Sequence, residues 1–334
     1  MDFNHTEERR MLADSLRRTL ARGADWATLA ELGVLGALFS EAEGGFGGAG
    51  FDIAVVFEEL GRAGCTEPVL EAGLAGGLLA DVGRGDLVET IIAGDLKVTL
   101  GWQEPGLRYD LGPLSTRAEN GRLTGRKSFV TNAEGADLIL VTALQDGSPH
   151  LFALDPHAAG VTLHSTPALM GGSVSELSLD AAPAQPLGTA ALDRRLAAAT
   201  LAVCADALGV MESVKTMTLD YLRTRTQFGR AIGSFQALQH RMADVAIEIE
   251  MARSAVINLA GNLDSPDRDR HVSATKSLVG RTARLVAEES IQMHGGIAMT
   301  EAYALAPLAR RLIAADHRYG DEDWHLARFI RLTA

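Results

Sequence analysis

The sequence predicts a mainly helical protein with a β domain at its centre. Two observations carry this. Residues 1–95 and 191–334 place apolar side chains at helical spacing. Residues 96–190 are instead short β-branched runs cut by turn residues. The expected order is an N-terminal helical domain (1–95), a middle β-barrel or sandwich (96–190) and a C-terminal four-helix bundle (191–334).

The elements follow in order. Thr6 is placed to cap a first helix, with Glu7 and Glu8 in the turn where the helix dipole favours acids. Leu12, Leu16 and Leu20 lie on one face of it. "WATLAELGVLGALF" and "DIAVVFEELGRAG" predict further helices, the second stopping near Gly61. In the middle segment, "LKVTLGW", "GRLTGRKSFVTN", "ADLILVTAL" and "PHLFALD" read as strands. Asn120-Gly121 is a two-residue hairpin signal. Beyond residue 191 the apolar positions Leu238, Met242, Val245, Ile249, Ala252, Val256 and Leu259 recur at alternating steps of four and three. Such a heptad-like seam belongs to packed helices. Val272, Val279, Ala283, Val286 and Met293 mark a similar seam on the next helix.

Composition narrows the function. The net charge of −12 and the absence of a Lys/Arg stripe argue against a nucleic-acid partner. Two cysteines, Cys65 and Cys204, are too few for a disulfide scaffold or a thiolate metal cluster and fit a reducing compartment. The N-terminus has no basic and apolar leader pattern, and acids interrupt every apolar stretch before it is long enough to span a bilayer. A cytoplasmic protein is expected. The histidines do not show the paired Glu-x-x-His motifs of a carboxylate-bridged metal bundle, and no metal is expected.

Two glycine motifs carry little. "GGFGGAG" contains Gly45-x-Gly47-x-x-Gly50 but follows no strand and opens no βαβ unit, so it reads as a flexible interhelical turn. "GRLTGRKS" has Arg126 where a phosphate loop needs glycine, and it reads as a hairpin.

The stretch "RTRTQFGRAIGSFQALQHRMADV" carries Arg225, Gln227, Phe228, Gly229, Phe235, Gln236 and Gln239 in an Arg-x-Gln-Phe-Gly and Phe-Gln-x-x-Gln pattern. "IQMHGGIAMTEAY" follows with Gln292, Gly295 and Gly296. In these motifs the chain resembles the acyl-CoA dehydrogenase family, and "EELGRAG", "EPG" and "GRKSFVTNAEGADLILVTA" occur in the family's order. The resemblance covers essentially the whole chain. It implies FAD as cofactor, held by Arg225, Gln227, Phe228, Gln236, Gln292, Gly295 and Gly296 across a subunit interface. Phe129, where the family often has tryptophan, and Thr131 are implied to face the flavin. An arginine suits a pyrophosphate through bidentate contacts, and paired glycines let a backbone approach a ligand closely. The "WQEPGLRYDLG" segment departs from the family's Thr-Glu-Pro-Gly run and the small turn after it: Gln103 stands for threonine, and Leu107, Arg108 and Tyr109 replace small residues.

The implied reaction is α,β-desaturation of an acyl-CoA thioester, with a carboxylate removing the α-proton and an electron-transfer flavoprotein as final acceptor. Counting from Gly296, the family's base position falls on Tyr319, whose ordinary pKa of about 10 leaves it protonated. The alternative family position falls on Ala199. Asp206, two turns further along that helix, is the remaining acid candidate. Asp321, Glu322 and Asp323 read as the first turn of a final helix rather than as bases. The pattern resembles the shorter, base-lacking subunit of heteromeric dehydrogenases of steroid side-chain or pimeloyl-CoA type, whose longer paralogue carries the glutamate. The rivals are a self-sufficient homotetramer using Asp206 or Glu322, and a non-catalytic scaffold or regulatory subunit.

Overall fold

The computed structural model describes residues 6–189 and 192–334. The predicted boundary at residues 190 and 191 lies outside them. The order of elements is helices, strands, helices. Contacts divide the chain into two compact units, one of Met1–Gly23, Gly50–Cys65 and Thr200–Ala334, the other of Ala24–Ala49 and Thr66–Ala199.

In the first unit, α1 (Glu7–Leu20) begins where the Thr6 hydroxyl accepts the Arg9 N–H, and it buries Leu16 and Leu20. The Arg17 guanidinium grips Glu59 of α3 (Gly50–Ala63) with two hydrogen bonds of 2.6 and 3.0 Å. Helix α3 ends at Ala63, near Gly61 as the sequence predicted. Gly61 itself is a contact residue: a Cβ there would run into the Asp206 carbonyl of α6 (Leu192–Thr224). Gly209 makes the reciprocal approach to the Glu58 carbonyl. Helix α6 is long and apolar enough to cross a membrane by composition alone, but 78% of its most apolar window is buried inside the protein. Its apolarity is that of a core helix.

The predicted seam is buried on α7 (Gln236–Asn262), from Met242 to Leu259. On α8 (Arg268–His294), Val272, Val279, Ala283, Val286 and Met293 are buried. Helices α7, α9 (Leu305–Asp316) and α10 (Glu322–Thr333) all pack on α8. Arg253 of α7 reaches Glu212 of α6 at 2.8 Å and Glu58 of α3 at 2.9 Å.

In the second unit, the helix predicted over 26–39 breaks early. Helix α2 (Trp26–Glu31) ends because Gly33 turns left-handed at φ 79°, and a 3-10 turn at Gly36–Leu38 follows. The glycine run beyond it is a packed turn, not a flexible one. Gly45, Gly47 and Gly48 donate to the carbonyls of Ser40, Phe39 and Ala37 at 2.9, 2.8 and 3.0 Å. A Cβ at Gly45 or Gly47 would overlap the carbonyls of Gly36 and Phe39, or of Ala37. Helices α4 (Val69–Asp81) and α5 (Gly85–Ala93) follow.

The strands form one eight-stranded sheet: β1 (Val98–Gly101), β2 (Arg117–Glu119), β3 (Arg122–Thr131), β4 (Leu138–Gln145), β5 (Ser148–Leu154), β6 (Val161–Pro167), β7 (Ser173–Pro183) and β8 (Gln185–Gly188). The ladder runs β6-β7-β3-β2-β4-β5-β8, and β1 lies parallel beside β4. The β2–β3 hairpin turns at Asn120-Gly121, whose φ values of 52° and 71° suit a type I′ turn. Leu123, Val130, Ile139, Val141, Phe152 and Leu177 fill the core beneath it.

Gly47→Ala should lower stability by roughly 1–3 kcal/mol, since the new methyl group must displace backbone rather than a flexible side chain. Urea unfolding of the two proteins measures this, and coincident midpoints would refute the close approach.

Candidate functional site

In the β unit, the candidate flavin-facing residues are built on a buried ion pair. The Lys127 ammonium is fully buried and donates to Glu104 Oε1 at 2.7 Å and Thr142 Oγ1 at 3.2 Å. Glu104 also accepts the backbone N–H groups of Ser115 and Thr116, at 2.6 and 3.0 Å, and the Ser115 hydroxyl at 2.6 Å. Burial raises the Glu104 pKa, but the hydrogen bonds outweigh it and hold the carboxyl down at about 2. Burial pushes the lysine down, against the pull of Glu104. The pair ties the loop after β1 to β3.

Immediately after Lys127 the β3–β7 register shifts. The Ser128 N–H leaves the ladder and donates to the Gln103 carbonyl at 2.9 Å. Phe129 then takes φ 54° and stands 66% exposed. A left-handed, exposed aromatic held by a bulge is the kind of strain that functional sites retain. Thr131 lies half-buried, its carbonyl accepting the Thr99 hydroxyl at 2.6 Å. Gln103 donates to the Arg108 carbonyl at 2.9 Å, which closes the unusual "WQEPGLRYD" loop on itself.

In the helical unit, the first motif forms a tight hairpin. Strands β9 (Thr226–Gln227) and β10 (Arg230–Ala231) pair across Phe228-Gly229, whose φ values of 53° and 77° make another type I′ turn. Phe228 is 89% exposed at the tip, edge-on to Phe235 at 6.1 Å. Arg225 is exposed and has no ion-pair partner among the described residues; its backbone N–H continues the helix to the Tyr221 carbonyl at 2.8 Å. Gln227 and Gln236 are exposed. At the end of α8, Gln292, Gly295 and Gly296 are also exposed, and a Cβ on either glycine would meet nothing within 4 Å. Gly295 has φ 68° and ψ −149°, which an L side chain would strain.

The acids are engaged elsewhere. Asp206 is held in a two-point ion pair by Arg311, which also donates to the Cys65 carbonyl at 2.6 Å. Both of its oxygens are thus committed to the guanidinium. Ala199 is buried. Asp321 caps α10 by accepting the Trp324 N–H at 2.9 Å, and Glu322, in the first turn, pairs with Arg284 at 2.7 Å. The turn that carries Tyr319 is gripped from beneath. Buried Lys276 of α8 donates to the carbonyls of Asp316 and Gly320 at 2.7 and 2.6 Å, and burial pushes its ammonium pKa down. His325 Nε2 donates to the Tyr319 carbonyl at 3.0 Å. Burial, then the nearby Lys276, push the His325 pKa down to about 3, so the ring is neutral. Tyr319 itself sits at φ 56°.

The family model described as "Acyl-CoA dehydrogenase, C-terminal domain" matches residues 187–330. Acyl-CoA dehydrogenase FadE28 of Mycobacterium tuberculosis is 30% identical over 322 residues, 91% of each chain. This chain belongs to the acyl-CoA dehydrogenase family. Two solved structures agree. The Tcur3481–Tcur3483 steroid acyl-CoA dehydrogenase (a G363A variant) superposes with TM-score 0.89 at 28% identity, covering 98% of each chain. The ChsE4–ChsE5 complex of M. tuberculosis gives TM-score 0.88 at 26% identity, covering 99% of this chain and 98% of that one.

Membership in this acyl-CoA dehydrogenase family makes the chain an oxidoreductase with FAD as cofactor. Its residues fit that group: an exposed guanidinium without an ion-pair partner, an open diglycine backbone and an outward aromatic are what a bound dinucleotide needs. Sequence reasoning missed Lys276, His325 and the Glu104–Lys127 pair. A signal existed for Lys276: it falls on the α8 seam between Val272 and Val279, where an apolar residue belongs.

His325 should make stability fall in acid. The folded chain keeps its ring neutral down to about pH 3, whereas the unfolded chain takes up a proton near 6.5. Stability is therefore lost as pH drops from 6.5 towards 3, by about 1.4 kcal/mol per pH unit at most. Relative to wild type, His325→Gln should flatten the fall of unfolding free energy across that window; parallel curves would disprove the assignment.

Proposed function

We propose that this chain is the base-lacking subunit of a heteromeric, FAD-dependent acyl-CoA dehydrogenase that desaturates an acyl-CoA thioester between Cα and Cβ. One observation carries the reading: the residues retained would hold FAD, while both expected base positions lack a carboxylate. Tyr319 and Ala199 stand there, Asp206 is bound to Arg311, and Asp321 and Glu322 serve the start of α10. The similarity to the steroid Tcur3481–Tcur3483 protein and to the ChsE4–ChsE5 complex supports an assembly of unlike chains.

In this reading the three segments 1–95, 96–190 and 191–334 act as helical, β and bundle domains. Arg225 offers its guanidinium to a phosphate, and Gln227, Gln236 and Gln292 supply amide donors and acceptors. Phe228 and the Gly295-Gly296 backbone present an open surface to the cofactor, across the interface with a longer acyl-CoA dehydrogenase paralogue. Phe129 and Thr131 face the flavin side. FAD, when bound, supplies the acceptor for the hydrogen leaving Cβ with its electron pair. The paralogue's glutamate takes the α-proton. The Lys276-held turn keeps the Tyr319 backbone fixed at the base position without offering a carboxylate. The electrons pass on to an electron-transfer flavoprotein. The scarcity of cysteine and the buried α6 support a cytoplasmic protein with no membrane span.

Arg225→Ala should weaken FAD binding about tenfold or more, from the loss of a charged hydrogen bond, while the melting temperature stays within a few degrees. Full flavin absorbance in the variant would remove this role. Co-expression with a longer paralogue, followed by mass measurement, flavin counting and an acyl-CoA oxidation assay, tests the assembly. An α2β2 complex holding fewer FAD than chains is expected. A tetramer of this chain alone, with one FAD per subunit and turnover of about 1–10³ s⁻¹, would overturn the heteromer.

A further inference from the structure

His294 has no part in the reading so far, yet it joins the two motif segments of the helical unit. It is the last residue of α8, directly before Gly295-Gly296, and is only 4% exposed. Its ring stacks on Tyr221 with centroids 4.5 Å apart and planes at 27°, and lies 5.4 Å from the Tyr303 ring on its way into α9. Tyr221 lies one helical turn before Arg225, and its carbonyl accepts the Arg225 N–H. The Tyr221–His294 stack therefore connects the Arg225 segment to the diglycine turn, with Tyr303 packed on the histidine as a third ring.

The polar edges of the ring sharpen the point. Nδ1 lies 2.8 Å from the Ser290 carbonyl, so it carries the proton. Nε2 is then a bare acceptor, buried and without a hydrogen-bond partner among the described residues. Burial also pushes the pKa of this histidine down. A buried imidazole with one satisfied and one orphaned edge is a poor stability choice compared with phenylalanine, which would stack equally well and orphan nothing. What phenylalanine lacks is the Nδ1–H anchor, which fixes the rotation of the ring over the end of α8. An anchor of that kind matters where the next two residues must hold one orientation.

We propose that His294 is a cofactor-positioning residue: anchored on Ser290 and clamped between Tyr221 and Tyr303, it holds the Gly295-Gly296 backbone in register with Arg225 for the flavin dinucleotide. The proposal rests on the FAD-binding role given above to Arg225 and the diglycine. It assigns no contact between His294 and the cofactor.

The test measures FAD affinity and thermal stability together, by flavin fluorescence titration and by melting without added FAD, on the assembled protein. His294→Phe should keep or raise the melting temperature and weaken FAD about tenfold, the scale of one lost hydrogen bond. His294→Asn, which restores a donor of similar reach, should recover part of the affinity. In a double-mutant cycle with Arg225→Ala, the double variant should lose less than the sum of the two single losses, because the histidine acts through the arginine segment. Unchanged affinity in His294→Phe while Arg225→Ala weakens binding would overturn the His294 assignment alone. A melting temperature that falls in step with affinity would also overturn it, as a general packing role. Unchanged affinity in both single variants, or no FAD bound by wild type, would take the proposed function down with it.

Discussion

A buried ammonium has to find acceptors where it lies, because it has no water to turn to. Lys127 and Lys276 are the two largest such commitments among the described residues, both essentially inaccessible. Each resolves the constraint by gripping a segment of its own unit that carries candidate site positions. Lys127 ends on Glu104 and so fixes the loop after β1 against β3. Lys276 ends on two main-chain carbonyls and so fixes the turn between α9 and α10. Removing either partner would leave a desolvated charge or unmet acceptors, so the surrounding backbone has little freedom to relax. The rigid parts of the site follow from these two side chains more than from local propensity.

The parts that contact a ligand in the proposed reading are the opposite in character. Phe228, Arg225 and the diglycine are exposed, on a two-residue hairpin and a helix end with little packed around them. Their geometry comes from turn chemistry: left-handed φ at Phe228, Gly229 and Gly295. The exposed phenylalanine at the hairpin tip leaves this surface open, in keeping with the site between subunits proposed above.

Much of this was legible in the sequence, because periodicity reports burial directly. The α7 seam and the Asn120-Gly121 turn lie where spacing put them. The acids at 321–323 open a helix, as acids at a dipole end do. Misreadings came from residues whose role is a distant contact. The glycines at 45–48 looked flexible and are packed against backbone. Asp206, the remaining acid candidate, pairs with Arg311, more than a hundred residues further along the chain. No local pattern reveals a partner at that distance. Lys276, by contrast, was visible as a polar interruption of an apolar seam.

The Lys276–His325 grip on the turn has a consequence for mutational tolerance. Both residues hold carbonyl oxygens, which every amino acid possesses, and neither holds the Tyr319 side chain through these bonds. The backbone path of the turn is thus encoded at positions 276 and 325, away from the residue it presents. The side chain at 319 is left open to exchange, short of those that resist a left-handed φ, without unmaking the loop. A fold arranged in this way separates where a group is displayed from which group it is. It could gain or lose a proton acceptor there by a single substitution.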